Sequence, residues 1–190
     1  MAAKDETRAR TAKPRRTRAK SAAKSPAEVA RVAFDAVAAK DVDAILSFWK
    51  PDGVQDWVAI GIRRGHDEIR SMFEEIFAAT PDFEIVVERI CADDETACVQ
   101  WRSSGTFDGG PFLGIEPNGR RIDLRGVDVM QIEDGLISRN AVYYDGAAFA
   151  RAVGMLPSQD SPAERAMFTA FNATTKLRRA IRERTQGSGA

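Results

Sequence analysis

Histidine and cysteine are nearly missing from this chain of 190 residues: one histidine, His66, and two cysteines, Cys91 and Cys98. Zinc and iron sites of the usual kinds need several His, Cys or carboxylate ligands converging, so no metal is expected. Two cysteines do not make a disulfide framework. Both fall where strands are expected, Cys98 within an apolar run, and both read as reduced core residues. No apolar run approaches the ~20 residues of a membrane span, and the basic N-terminus lacks the apolar stretch of a secretory signal. A cytoplasmic protein without membrane contact is the expectation. A nucleophile elbow, a phosphate loop and a dinucleotide fingerprint are likewise missing.

Net charge is also missing, but only as a sum. Residues 1–25 carry nine Lys/Arg and two acids, net +7. From Pro157 onward there are six basic and three acidic residues, net +3, so the intervening part carries −10. An acidic middle is a poor nucleic-acid surface. The basic segment 1–25 has alanine as its main apolar type and reads as a disordered tail, since it cannot bury enough surface to offset ordering entropy. It is either a solubilising tail or an arm contacting nucleic acid or another anionic surface. No aromatic interleaves its charges, so base stacking is not supported.

What is present is a 44% hydrophobic composition, enough for a core in one domain. Apolar residues recur at helical spacing from Ala27 to Trp49, with a break at Lys40–Asp43 where Asp41 caps the second half and an end at Pro51-Asp52-Gly53. Val54 to Ile60 reads as a strand. Gly65 opens a second helix to Phe77 or Ala79, with His66 as a helix-entry residue. Strands follow over Phe83–Ala92, Thr96–Thr106, Arg121–Ile132 and Leu136–Tyr144, the last two joined by a turn at Glu133-Asp134-Gly135. Residues 161–184 read as an amphipathic helix packing on the domain or on a second subunit. Ser161 caps it, Pro162 is its first residue, and Glu164 completes the cap. The order of elements predicts an α+β domain over 26–157, with a curved antiparallel sheet wrapped on N-terminal helices around an internal pocket. Residues 158–190 read as a C-terminal helix and a flexible end.

Asp128 stands out because Val127, Val129 and Met130 surround it, and a buried carboxylate must be hydrogen-bonded or functional. Strand alternation puts Asn140, Val142 and Tyr144 on one face. A structural reading has Asp128 accepting hydrogen bonds from Tyr144, Asn140 or Trp indoles and fixing the core. A catalytic reading has burial keeping its carboxyl protonated, able to donate to a developing enolate.

The segments AVAAKDVDAILSFWKPDGV, GHDEIRSMFEEIF, PDFEI, WRSSGTF, GRRIDLRGVDVMQIEDGLISRNAVYYD and AVGMLP resemble, in order and spacing, the SnoaL-like branch of the nuclear-transport-factor-2-like superfamily. The resemblance covers about Ala27–Pro157 and implies a cystatin-like cone, no metal or organic cofactor, and a homodimer. It places Trp57, Trp101, Ser103, Asp128 and Met130 toward the cavity with Asn140, Val142 and Tyr144. The polar set of ketosteroid isomerases is matched at Asp128. The helix tyrosine falls on Ala33, and the proton-moving Asp on Trp57, one residue from Asp56. The Asp-Arg-Asp set of limonene-type epoxide hydrolases falls near Trp101, Ser103 and Val142 and is not met. The acid/base Asp of the cyclases falls in Asn140–Val142, where no carboxylate stands. Two functions follow. One is an isomerase or cyclase enolising a hydrophobic carbonyl compound, with Asp128 as acid or oxyanion donor, Asn140 and Tyr144 orienting it, and Asp56 in reserve. The other is a non-catalytic module of the same fold that holds a hydrophobic small molecule.

Overall fold

The computed structural model describes residues 24–187. Nearly all of the basic tail, with the disorder and anionic contact read from its charge, lies outside the described residues, as does the very end of the chain. The chain enters at Ser25, whose hydroxyl and the Glu28 carboxylate form a reciprocal cap on α1 (Pro26–Ala38). After Lys40, Asp41 caps the short α2 (Val42–Ser47) through the Ala44 amide. The remaining elements are β1 (Trp49–Trp57), β2 (Gly61–Arg64), α3 (Gly65–Ala79), β3 (Glu84–Ala92), β4 (Thr96–Phe107), β5 (Arg120–Glu133), β6 (Leu136–Tyr144), α4 (Gly146–Ala152) and α5 (Pro162–Gly187).

The strands form one six-stranded sheet in the order β2-β1-β6-β5-β4-β3. Its curvature over the helices gives the α+β cone that the order of elements predicts. All neighbours run antiparallel except β1 and β6, which pair in parallel with Gln55 opposite Asn140. Helices α1 and α3 cover the concave face. Val29, Ala30, Ala33 and Phe34 of α1 and Ile69, Met72 and Phe73 of α3 are buried against Val99, Met130, Ile137 and Val142 of the sheet. Alanines at three buried positions of α1 let its backbone approach the sheet closely.

Four sequence expectations change. Pro51-Asp52-Gly53 does not end a helix: the helix stops at Ser47, and these residues lie inside β1, where the register to β6 shifts between Trp49 and Val54. A bulge is one of the few places in a sheet that tolerates Pro and Gly. Two short elements, β2 and α4, carry too little periodicity to stand out. Cys91 is exposed and Cys98 half-buried, so neither belongs to the fully buried core. Finally, α5 does not lay its apolar stripe on the domain: Met167, Phe168, Phe171 and Leu177 are exposed. Its start is fastened by Glu164, which accepts from the Arg151 guanidinium at 3.0 Å and the Asp160 amide at 2.7 Å.

Candidate functional site

The sheet register builds the site in rows across the concave face. One row runs Val99, Asp128, Val142 and Trp57 over β4, β5, β6 and β1. The next is Ala97, Met130, Asn140 and Gln55. On the other side lie Trp101, Gly126 and Tyr144. Asp128 therefore has Trp101 and Asn140 as diagonal neighbours on the two flanking strands, within reach of their side chains. The Trp101 Nε1–H donates to Asp128 Oδ1 at 2.6 Å, and the Asn140 amide donates to Oδ2 at 2.5 Å. The same amide also donates to Gln55 Oε1 at 3.1 Å, while Asn140 Oδ1 is buried without a partner.

Gly126 makes the Trp101 contact sterically feasible. A Cβ there would lie 2.3 Å from Trp101 Cζ2 and 2.7 Å from the Tyr143 carbonyl. The indole thus lies against bare backbone and can reach Asp128.

Asp128 is 7% exposed and Asn140 and Gln55 2% each. Burial pushes the Asp128 carboxyl up to about 6, against the opposing pull of the Asn140 and Trp101 hydrogen bonds. Desolvation outweighs two donors here because the remaining wall is apolar. Burial also raises the Tyr144 phenol, so its proton stays in place at neutral pH.

These groups face a cavity of about 160 Å³ between sheet and helices. One wall is a run of aromatic contacts from Trp57 to Phe73 (5.7 Å between ring centres), Phe77 (5.9 Å) and Phe83 (5.4 Å). The opposite wall carries Phe112, Phe149 and Tyr144, with Phe149 supplied by α4.

Of the residues singled out in the sequence, Trp57, Trp101, Ser103, Asp128, Met130, Asn140, Val142 and Tyr144 all line this cavity. Trp101, read there as a ligand contact, is also a donor to Asp128. Tyr144 is not one: it stands opposite Gly126, packs against Phe149, and makes no hydrogen bond to Asp128. Asp56 is excluded from the site. It sits on the convex face next to the inward Gln55 and Trp57, and pairs with Arg139 at 2.7 Å. His66 lies in the first turn of α3, with Nε2 3.2 Å from the Trp49 carbonyl. Gln55 is the residue that sequence reasoning missed. The signal was available, because alternation puts it on the same face as Trp57. Among the described residues no three His, Cys, Asp or Glu side chains converge as a metal site would require.

Solved structures share this architecture. A proposed SnoaL-like polyketide cyclase from Jannaschia sp. CCS1 is 25% identical, with 68% of this chain and 92% of that chain covered and a TM-score of 0.62. AclR from Streptomyces galilaeus, a proposed hydroxylase, is 22% identical over 82% of this chain and 93% of its own, at 0.60. IdmH from Streptomyces antibioticus, a proposed polyketide cyclase, is 18% identical over 68% and 98%, at 0.57. At 22% and 18% identity the likeness establishes the fold and nothing of the reaction. Among curated proteins none matches. The profile of the SnoaL-like domain matches residues 30–140, more than half of the chain and the part that carries the cone, Asp128 and Asn140. With both the fold and that profile in agreement, the chain belongs to the SnoaL-like domain family.

Proposed function

We propose that this protein is a cofactor-independent isomerase or cyclase that enolises a hydrophobic carbonyl compound, with Asp128 transferring the proton. The observation that carries this reading is a single carboxyl, buried in an apolar cavity, held by two N–H donors and pushed up to about 6. A group that titrates close to neutral pH can both take a proton and return it. The two donors engage one lone pair on each oxygen, which leaves a lone pair for exchange with a ligand in the cavity. As carboxylate, Asp128 removes an α-hydrogen from the bound ketone. The C–H electron pair becomes the enolate double bond, and the Tyr144 hydroxyl donates a hydrogen bond to the enolate oxygen. Returning the proton at another carbon gives an isomer. If the enolate carbon instead attacks a second carbonyl of the same molecule, a ring closes and the proton passes to the new alkoxide. Asn140, itself held by Gln55, fixes the carboxyl plane.

The cavity volume bounds the ligand. A dry apolar cavity of about 150 Å³ holds a benzene, so a compound of one or two rings fits better than an extended polycycle. The reading includes a cytoplasmic protein whose cysteines rest as thiols, and a homodimer joined through the convex sheet face, where Val86 and Tyr143 are exposed.

The second reading, a non-catalytic binding module, is favoured by one specific feature: Trp101 and Asn140 satisfy Asp128 internally, as a purely structural buried carboxylate requires. The two separate by NMR in D₂O with 2-tetralone, a two-ring ketone with acidic α-hydrogens. Enolisation predicts loss of the α-hydrogen signal faster than in buffer, and Asp128→Asn slows it by about 10²–10⁴-fold with ketone binding and Tm retained. Binding without accelerated exchange leaves the binding module, and accelerated exchange that survives Asp128→Asn overturns Asp128 as the group that transfers the proton.

A further inference from the structure

We propose that Cys91 and Cys98 are a modification site for low-molecular-weight disulfides such as glutathione disulfide, closing into a reversible cross-strand disulfide on the convex face of the sheet. The register of β3 on β4 places the two cysteines directly opposite each other, between the pairs Ile90–Val99 and Ala92–Ala97. The only irregularity of this ladder lies at Val87–Arg89, away from the cysteines. The hairpin closes beyond them with the Asp93 amide on the Thr96 carbonyl at 3.0 Å. Directly opposed residues of an antiparallel pair stand about 4.5–5.5 Å apart at Cα, inside the roughly 4.4–6.8 Å range that a disulfide spans.

Opposed residues also project from the same face. Ala97 and Val99, which flank Cys98, are fully buried on the concave side, so both cysteines point to the convex side. Both thiols are free, Cys91 exposed on the edge strand β3 and Cys98 half-buried beside it. That difference orders the chemistry. The Cys91 thiolate attacks one sulfur of glutathione disulfide and displaces a glutathione thiolate. The Cys98 thiolate then attacks the Cys91 sulfur of the mixed disulfide and displaces the second glutathione. Two protein thiols are oxidised, one external disulfide is reduced, and the two cysteine protons leave on the glutathiones. The second step is favoured because strand pairing already holds the two sulfurs together. The product is exposed and spans a short loop, which belongs with labile rather than permanent disulfides.

The site lies beside the β3–β4 turn at one end of the convex face, five residues along β3 from Val86, so pairing of two copies around Val86 and Tyr143 leaves it open. It is separate from the Asp128 cluster and does not depend on the enolisation reading. Its test uses the full chain incubated with glutathione disulfide, quenched by alkylation and weighed. The expected result is loss of both titratable thiols, a mass lower by two hydrogens, no chain-to-chain linkage on a non-reducing gel, and recovery with dithiothreitol. Cys98→Ser should instead accumulate a stable glutathione adduct on Cys91. A wild-type chain that keeps the adduct with Cys98 still alkylatable, cross-links between chains, or retains both thiols overturns the proposal.

Discussion

Asp128 was legible in the sequence because its neighbours are apolar and a carboxylate among them demands an explanation. Its surroundings were only half legible. Asn140 follows from the alternation of β6, but Gln55 lies 85 residues away and meets Asn140 across a parallel pairing that no local period encodes. The cluster has a measurable pH signature. The folded carboxyl near 6, against an ordinary 3.8, binds its proton more tightly than the unfolded chain does. Its contribution to stability is therefore present below about pH 4 and lost as pH rises through about 6, some 3 kcal/mol in all. The unfolding free energy of wild type minus that of Asp128→Asn should fall by that order between about pH 4 and pH 7, and a flat difference would refute the burial argument. Gly126 is the second residue-scale point. Gly126→Ala should push the indole off Asp128 at a cost of about 1–3 kcal/mol. In a ¹⁵N-resolved NMR spectrum the Trp101 indole N–H signal should then move upfield. An unmoved signal would mean that Gly126 positions nothing.

Among the elements, the β5–β6 hairpin was the most legible because its turn chemistry and its strand pattern agree. Asp134 and Gly135 sit at φ 55° and 83°, the left-handed pair that a two-residue turn needs. The start of β1 was the least legible. Pro51 and Gly53 are strand breakers in local terms, and only the bulge against β6 makes room for them. Helix α5 was predicted correctly as a helix with its Ser161 cap, since the Glu164 amide donates to the Ser161 hydroxyl at 3.1 Å. Its packing was not readable, because an amphipathic pattern reveals which face is apolar and nothing about what covers it. The tie through Glu164 makes a prediction at this scale. The Arg151 guanidinium holds the Glu164 carboxyl below the ordinary range. Glu164→Ala should free the first turn of α5 and speed tryptic cleavage after Arg165 several-fold, with the α+β domain left intact. Equal cleavage rates would show that α5 is held some other way.

At the scale of the whole molecule the cone was legible as a succession of elements, and the family resemblance agreed with it. The pairing of two copies is a separate matter, since an exposed sheet face is visible only once the strands are assembled. Sedimentation equilibrium should give a dimer for the wild type and a monomer for the double variant Val86→Glu, Tyr143→Glu, which places charge on the convex face. A wild type that sediments as a monomer at all concentrations removes the dimer. The parallel pairing of β1 with β6 has one more consequence, and it concerns synthesis. On the ribosome β1 emerges early and waits with its inner edge unpaired until the last strand of the sheet leaves the exit tunnel. Contacts this distant in sequence are slow to form and leave edges open to wrong partners meanwhile. Gln55, Asn140 and Asp128 join only when Tyr144 is in place. The cavity is therefore among the last parts of the domain to be completed, and a nascent chain cut short of β6 has neither a continuous sheet nor a site.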